Sequence, residues 1–381
     1  MPPKILVSAG EASGDLYASE LIRALRGRYP DAEFFGCTGP RMRAQGVRTV
    51  VDSASLAVVG LVEVIAHIPR IYGEFRKLVS SARAERPSLA ILTDSPDFHL
   101  RLAAKLHDQG VPVVYLIAPQ VWAWRKGRIP RMRRVLERLL CIFPFEPEFF
   151  AEHGMRADYI GHPLTRLVRP SLSKQEFFEK HGLPFDRPLV VLLPGSRLGE
   201  VGRHLPVLGK TAAELRARSE VSLILALPHG FQNRAGEAFF KERIGPETIQ
   251  IVEGETWDAL AHADVALAAS GTVTIEAALL GTPTVSFYRV TTASWWMGRL
   301  LVRVPYYTMV NLVARRRIIP EYLQDEMTPA KLSEATLELL QNPVKADNMR
   351  RELNALRGIL ATERDPMETA AEIVARYIES V

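Results

Sequence analysis

The chain has 381 residues, 47% hydrophobic and 24% charged, with 48 lysines and arginines against 43 aspartates and glutamates for a formal net charge of +5. That length exceeds one comfortable hydrophobic core, so two domains are expected, and the ordinary globular composition excludes a disordered chain. Two cysteines exclude a disulfide framework or a zinc site, while the basic balance points to an anionic partner: nucleic acid, acidic lipid or a phosphorylated substrate.

Short apolar runs alternate with long amphipathic ones. In the first half KILVSA (4–9), EFFGCTG (33–39), SLAILTD (88–94), VPVVYLI (111–117), RLLCIFP (138–144) and ADYIGH (157–162) read as strands. The pattern restarts with PLVVLLPG (188–195), SLILALP (222–228), IQIVEG (249–254), DVALAAS (264–270) and PTVSFY (283–288). Such alternation predicts parallel sheets with helices on both faces, and two series of it predict two doubly wound α/β domains. The boundary is expected in the Pro- and charge-rich stretch 163–175. After residue 288 strands are expected to stop, leaving helices over 293–304 and 328–380. The first strand begins at once, so no signal peptide is expected, and no apolar run reaches the roughly 18 residues of a membrane span. A cytoplasmic protein is expected.

Ligands of open parallel sheets sit beyond the C-terminal strand ends, so the residues just after each strand carry the most information. AGEASGD (9–15) is neither a dinucleotide fingerprint nor a phosphate-binding loop ending in Gly-Lys-Ser/Thr. Glu11, Ser13 and Asp15 suit a hydroxyl-bearing ligand, and a tight turn with Ser13 as helix N-cap explains the same residues. In TDSPDF (93–98), Asp94 emerges at the strand end with no structural duty evident, which makes it the candidate general base. Asp97 is a natural N-cap for the helix that follows. The two acids are not spaced as a metal grip, so no metal is expected. APQVWAWRKGR (118–128) sets Trp122 beside basic residues, for sugar stacking or for core packing. In LLPGSRLGE (192–200), a tight turn presents Ser196 and Arg197, whose guanidinium suits phosphate oxygens or a salt bridge to Glu200.

AASGTVTIEAALLG (268–281) runs a strand into Ser270, Gly271 and Thr272 and opens a helix there. The first N–H groups of a helix have no internal partners, and its dipole favours an anion. Ser270 or Thr272 acting as an N-cap accounts for the same residues. With Arg197 on the same side, the stretch suits a pyrophosphate, and Glu276, one turn in, can accept from two ribose hydroxyls. A nucleotide sugar fits that pattern.

Two segments suit a membrane surface. Leu61, Ile65, Ile68, Tyr72, Phe75 and Val79 recur at helical spacing within 58–79, with Pro69 expected to break the segment in two. Packing of this stripe on the first sheet is the other use for it. SWWMGRLLVRVPYY (294–307) fits an interfacial belt. The basic run RKGRIPRMRR (125–134) lacks a nucleic-acid reader fold and is expected to be a solvated face, with no nucleic-acid partner.

Taken in order, AGEASGD, GPRM (39–42), VGLVEV (59–64), SPDF (95–98), APQVWAWR (118–125), FPFE (143–146), GHP (161–163), LLPGSR (192–197), ASGT with Glu276, and PYY…NL…R (305–315) resemble the lipid-A-disaccharide synthase family over essentially the whole chain. The resemblance implies a GT-B fold: two Rossmann-like domains facing a cleft, here 1–168 and 169–360, with 361–381 crossing back to the first. It implies metal- and cofactor-free transfer of a sugar from UDP-2,3-diacylglucosamine to the 6-hydroxyl of 2,3-diacylglucosamine 1-phosphate, with inversion, on the inner face of the cytoplasmic membrane. An anionic membrane surface is an implied partner, and a homodimer is left open. Asp94 then corresponds to the base, Arg197 to an essential arginine and Asn311 to a polar position near the cleft. Ser270, Gly271, Thr272 and Glu276 fall on the UDP side. The chain departs from the family pattern at His99, where asparagine is frequent, and at Arg315–Arg317, where a glycine and fewer charges are expected.

Overall fold

The computed structural model describes residues 2–56, 61–123, 125–244, 249–292, 295–296 and 304–379, with the backbone alone for 61–67. It divides into two compact units, Met1–Pro163 with Leu360–Val381, and Leu164–Ile359.

The first unit is built on seven strands: β1 (Lys4–Ala9), β2 (Glu33–Thr38), β3 (Arg48–Asp52), β4 (Leu89–Thr93), β5 (Val113–Leu116), β6 (Arg138–Cys141) and β7 (Ala157–Tyr159). All pairings are parallel, in the order β3-β2-β1-β4-β5-β6-β7. The central strands are apolar along their whole length because helices cover both faces: every residue of β4 and β5 is buried. Leu6, Phe35, Leu92, Tyr115, Leu139 and Met132 belong to the core beneath one face. The helix Pro366–Ile378 packs on Ala12–Arg28, where the Tyr29 hydroxyl donates to Glu379 at 2.6 Å. The outgoing and returning chain segments are bonded to each other here, since Leu360 O accepts from His162 N at 3.1 Å and from the Tyr159 hydroxyl at 3.2 Å.

The second unit has six strands: β8 (Leu189–Leu193), β9 (Ser222–Leu227), β10 (Gln250–Glu253), β11 (Val265–Ala269), β12 (Thr284–Tyr288) and β13 (Glu321–Leu323). They too are all parallel, in the order β10-β9-β8-β11-β12-β13. Phe177, Phe178, Val191, Ile224, Ala266 and Ala277 lie in its core.

Several expectations are corrected. Strands do not stop at 288, because β13 adds to the sheet edge beside β12. β3, also unforeseen, pairs with β2 at the other sheet's edge and buries only Val51 fully. Pro69 does not divide its segment: one helix, Leu61–Glu85, runs through it. A proline removes one main-chain donor and strains the preceding turn, yet a long helix anchored elsewhere survives this. Here Leu78 and Ala82 are buried in the first core, with Phe75 and Val79 packed against it. Residues 58–60 of that segment and the side chains of Leu61 and Ile65 lie outside the described residues, as do 294 and 297–303 of the second one and most of the helix expected over 293–304.

Both sheets reverse their strand order once in a way that opens a crevice. In the first the reversal lies between β1 and β4, in the second between β8 and β11. Ligands of doubly wound sheets bind at such points.

Candidate active site

In the first unit, the register pairs Ala9 with Thr93, so the residues leaving β1 and β4 lie side by side. Gly10 N donates to Asp94 at 2.9 and 3.1 Å, and Glu11 N donates to it at 3.0 Å. The glycines of AGEASGD make room for that carboxylate. A Cβ at Gly14 would sit 1.8 Å from Asp94 Oδ2, and one at Gly10 would sit 2.7 Å from Ser95 Oγ. With its side chain 12% exposed, Asp94 is largely removed from water. Burial pushes its carboxyl up to about 7, with the nearby Glu11 charge acting in the same direction, and the N–H bonds from Gly10 and Glu11 pull the other way without winning. A carboxylate in that range is a far stronger base than a solvated one.

The neighbours sort differently from the sequence expectation. Glu11 is exposed and stands at the N-cap of Ala12–Arg28 without a side-chain cap bond, and Ser13, half-buried in the first turn, is not the cap. Asp15 turns inward: it is buried and accepts from Gly39 N, Arg41 N and Met42 N at 3.0, 2.8 and 3.1 Å, capping the next short helix instead of facing a ligand. Asp97 is not an N-cap either. Ser95 holds that place before the helix Pro96–His107, while Asp97 is exposed and accepts from Arg125 Nη1 at 2.8 Å and from Arg128. These pairs tie down part of the basic run, and Lys126 Nζ lies 5.5 Å from the centre of the Phe149 ring.

Trp122 packs edge-on against Phe145, 5.0 Å between centroids, and its indole donates to Glu146 at 3.0 Å. Glu146, the last residue of FPFE, is fully buried and also accepts from Ile142 N and Phe143 N at 3.2 and 3.1 Å. Burial pushes its carboxyl up to about 7. The sequence singled out the motif but not this use of it.

In the second unit, β8 ends in the turn Pro194–Arg197. Gly195 has φ +116°, and a Cβ there would meet Glu200 Oε2 at 2.3 Å. Glu200 accepts from Ser196 N at 3.1 Å and bonds the Tyr288 hydroxyl. Buried His204 bonds Pro194 O through Nδ1 at 2.7 Å and accepts from Arg289 N at Nε2, 3.0 Å, joining this turn to the end of β12. Ser196 and Arg197 are exposed, with Arg197 at the N-cap of Leu198–Arg218, where no side chain caps the helix.

One strand away, β11 ends at Ala269 and the helix Thr272–Leu280 begins. Its N-cap is Gly271, with no side-chain cap bond. Neither Ser270 nor Thr272 takes that duty. Ser270 donates its hydroxyl to Tyr307 O at 3.1 Å, and Gly271 has open space where a Cβ would stand. Among the described residues the cap therefore supplies no side-chain acceptor to the first N–H groups of this helix, an arrangement that suits an anion. Glu276 is half-buried on the same helix. Burial pushes its carboxyl up to about 7, and a hydrogen bond from the Trp257 side chain pulls it back down in part.

Asn311 is fully buried on the short helix Met309–Ala314, and its amide is used on the segment that follows that helix. Oδ1 accepts from Ile318 N at 2.7 Å and Ile319 N at 3.1 Å, while Nδ2 donates to Ile319 O at 2.9 Å and Glu321 at 3.0 Å. Glu321 also accepts from Tyr307 N and Thr308 N at 3.1 and 2.7 Å. Asn311 thus braces the segment on which Ser270 rests. Among the described residues no group of three His, Cys, Asp or Glu side chains is placed to hold a metal ion, and no helix is long and apolar enough to cross a membrane.

Comparison with known proteins bears on the family and the fold. Residues 5–374 match the family model described as Lipid-A-disaccharide synthetase. The chain is 58% identical to the lipid-A-disaccharide synthase of Solibacter usitatus over 99% of its own length and 98% of the relative's. It is 41% identical to that of Myxococcus xanthus over 99% and 98%. Among solved structures, the UDP-GlcNAc 2-epimerase from Neisseria meningitidis bound to UDP-GlcNAc superposes with a TM-score of 0.66 at 11% identity, covering 99% of this chain and 100% of that one. A glycosyltransferase of kitacinnamycin gives 0.63 at 18% identity, covering 99% of both chains. At such identities these two speak for the fold alone. The match along nearly the whole chain, by contrast, makes this protein a member of the lipid-A-disaccharide synthase family, glycosyltransferases of GT-B architecture.

Proposed function

We propose that the chain transfers 2,3-diacylglucosamine from UDP-2,3-diacylglucosamine to the 6-hydroxyl of 2,3-diacylglucosamine 1-phosphate, giving the β-1,6-linked disaccharide 1-phosphate and UDP. One observation carries the reading: each sheet brings its polar strand-end residues to its own strand-order reversal, Asp94 in one and Arg197 with Ser270–Thr272 in the other. Asp94 takes the acceptor hydroxyl proton as that oxygen bonds to the anomeric carbon. The bond from that carbon to the β-phosphate oxygen breaks on the opposite face, and its electron pair leaves with UDP. Arg197 and the open N–H groups at Gly271 and Thr272 stabilise the departing charge, a role that removes about 10²–10³ in rate when one such donor is lost. Glu276 holds the ribose, and Asn311 acts by bracing the segment between its helix and β13. Glu11, Ser13, Asp97, Trp122 and Ser196 shape the two substrate sites.

The substrates carry acyl chains, so we place the enzyme on the inner face of the cytoplasmic membrane. Ile68 and Tyr72 on Leu61–Glu85 are 52% and 60% exposed, and Trp296 is 62% exposed, which suits contact with an anionic surface. Sedimentation with anionic liposomes at low salt should carry the protein down; protein left in the supernatant would remove this part of the reading.

An assay in EDTA with the two acylated substrates tests the reaction. UDP release together with a tetra-acylated disaccharide monophosphate is expected. Turnover of UDP-GlcNAc with no acylated product would overturn the lipid half and leave a nucleotide-sugar enzyme of another kind.

A further inference from the structure

Asp94 and Ser95 are consecutive non-glycine residues with φ of +54° and +36°. Side chains disfavour that left-handed region, so surrounding contacts must hold the turn in place. The contacts converge on one atom, the Asp94 carbonyl oxygen. His99 Nδ1 donates to it at 2.9 Å, and the Tyr115 hydroxyl donates to it as well. The other ring nitrogen of His99, Nε2, lies 2.8 Å from Ser8 Oγ.

His99 is wholly buried, and burial pushes its imidazole down to about 4, so the ring is neutral at pH 7. A carbonyl can only accept, so the single ring proton sits on Nδ1 and Nε2 accepts from the Ser8 hydroxyl. Ser8 lies in β1 and Tyr115 in β5, both fully buried, so two strands and the helix Pro96–His107 fix one carbonyl.

We propose that His99 is a positioning residue for the transfer reaction: the chain Ser8–His99–Asp94 carbonyl, with Tyr115 as second donor, locks the 94–95 turn so that the Asp94 carboxylate stays against Gly10 and Glu11. This rests on the assignment of Asp94 as base. A side chain with no solvent exposure cannot touch the acceptor, so the departure from the family pattern at His99 acts on the base, not on acceptor contacts. Without the lock the turn relaxes to negative φ, which swings the carboxylate away from its two N–H donors and towards water. The groups facing Asp94 are Glu11 after β1, the Cys37 thiol on β2, Tyr115 on β5, the Ser95 side chain next to it and His99 on the helix that follows; Arg128 and Asp97 face Tyr115. None of them changes in the variants below except the one named.

The test is the pH dependence of kcat and KM for the acylated substrates in wild type, His99→Leu, His99→Asn, Tyr115→Phe and Asp94→Asn, with melting and UDP binding as controls. His99→Leu should lose about 10²-fold in kcat, the scale of a misplaced catalytic group. Its donor KM and UDP affinity should hold, and the acid limb of its profile should move to lower pH. His99→Asn, which keeps an N–H donor for the carbonyl, should recover most of the turnover. Tyr115→Phe should shift in the same direction by less, and it decides the matter should His99→Leu not fold. Wild-type kcat and an unmoved limb in a folded His99→Leu or Tyr115→Phe, beside an inactive Asp94→Asn, would overturn this inference alone. Wild-type turnover in Asp94→Asn would overturn the base assignment and this inference with it.

Discussion

The two strand-order reversals treat charge in opposite ways. In the first unit a carboxylate is drawn out of water, backed by glycines at 10 and 14 and held on a strained turn. In the second, Ser196, Arg197, Gly271 and Thr272 are exposed, and two helices begin there without side-chain caps. The contrast fits the two roles proposed for these sites. A base gains strength by losing solvent, whereas a diphosphate arrives with its own charge and needs donors left open for it. One site stores the cost of its function in the folded protein, and the other leaves it to the ligand.

The largest effects should separate the two. Asp94→Asn should lower kcat by about 10²–10⁴-fold, the range for a general base, with the melting profile intact; a variant retaining a tenth of wild-type turnover would break the assignment. Arg197→Ala should lose about 10²–10³-fold and also weaken UDP binding. Unchanged UDP affinity would remove it from the phosphate side.

A pair of glycine substitutions sharpens the same contrast. Gly14→Ala drives a methyl to 1.8 Å from Asp94 Oδ2 and should both destabilise the protein and cut turnover. At Gly271 the φ of 169° is ordinary extended backbone, and the added methyl meets nothing within 4 Å. Gly271→Ala should therefore keep stability within about 0.5 kcal/mol while weakening UDP. Equal melting losses in the two variants would show that the difference between the sites is misread.

The smallest effect concerns stability against pH. A carboxyl whose folded pKa is raised from 3.8 to about 7 gives stability that is fully present below pH 3.8 and lost as pH rises through 7. Asp94→Asn escapes that loss, so its melting temperature relative to wild type should rise between pH 5 and pH 8. A constant difference over that window would mean the carboxyl titrates as if solvated.

Much of this was legible because βα alternation fixes where strands end, and strand ends fix where ligands go. SLAILTD placed Asp94, and DVALAAS with its small residues placed Gly271. Edge strands were not legible: β3 buries Val51 alone and β13 is three residues long, too little apolar pattern to stand out. Nor were the long-range duties of polar residues. Asp15 reads as a ligand contact until Gly39–Met42 are seen folding onto it, and Asn311 until its bonds to Ile318, Ile319 and Glu321 are drawn. His99 reads only as a departure from the family's asparagine until Ser8, 91 residues away in sequence, is found beside its ring. Buried polar groups take partners from distant strands, and local pattern does not record them.

The central claim is that the proton is handled by the first unit and the diphosphate by the second. A calorimetric titration of UDP into Asp94→Asn tests it most directly. The account predicts wild-type affinity in a protein that no longer turns over. Affinity lost in proportion to turnover would place Asp94 in nucleotide binding and contradict the division of labour.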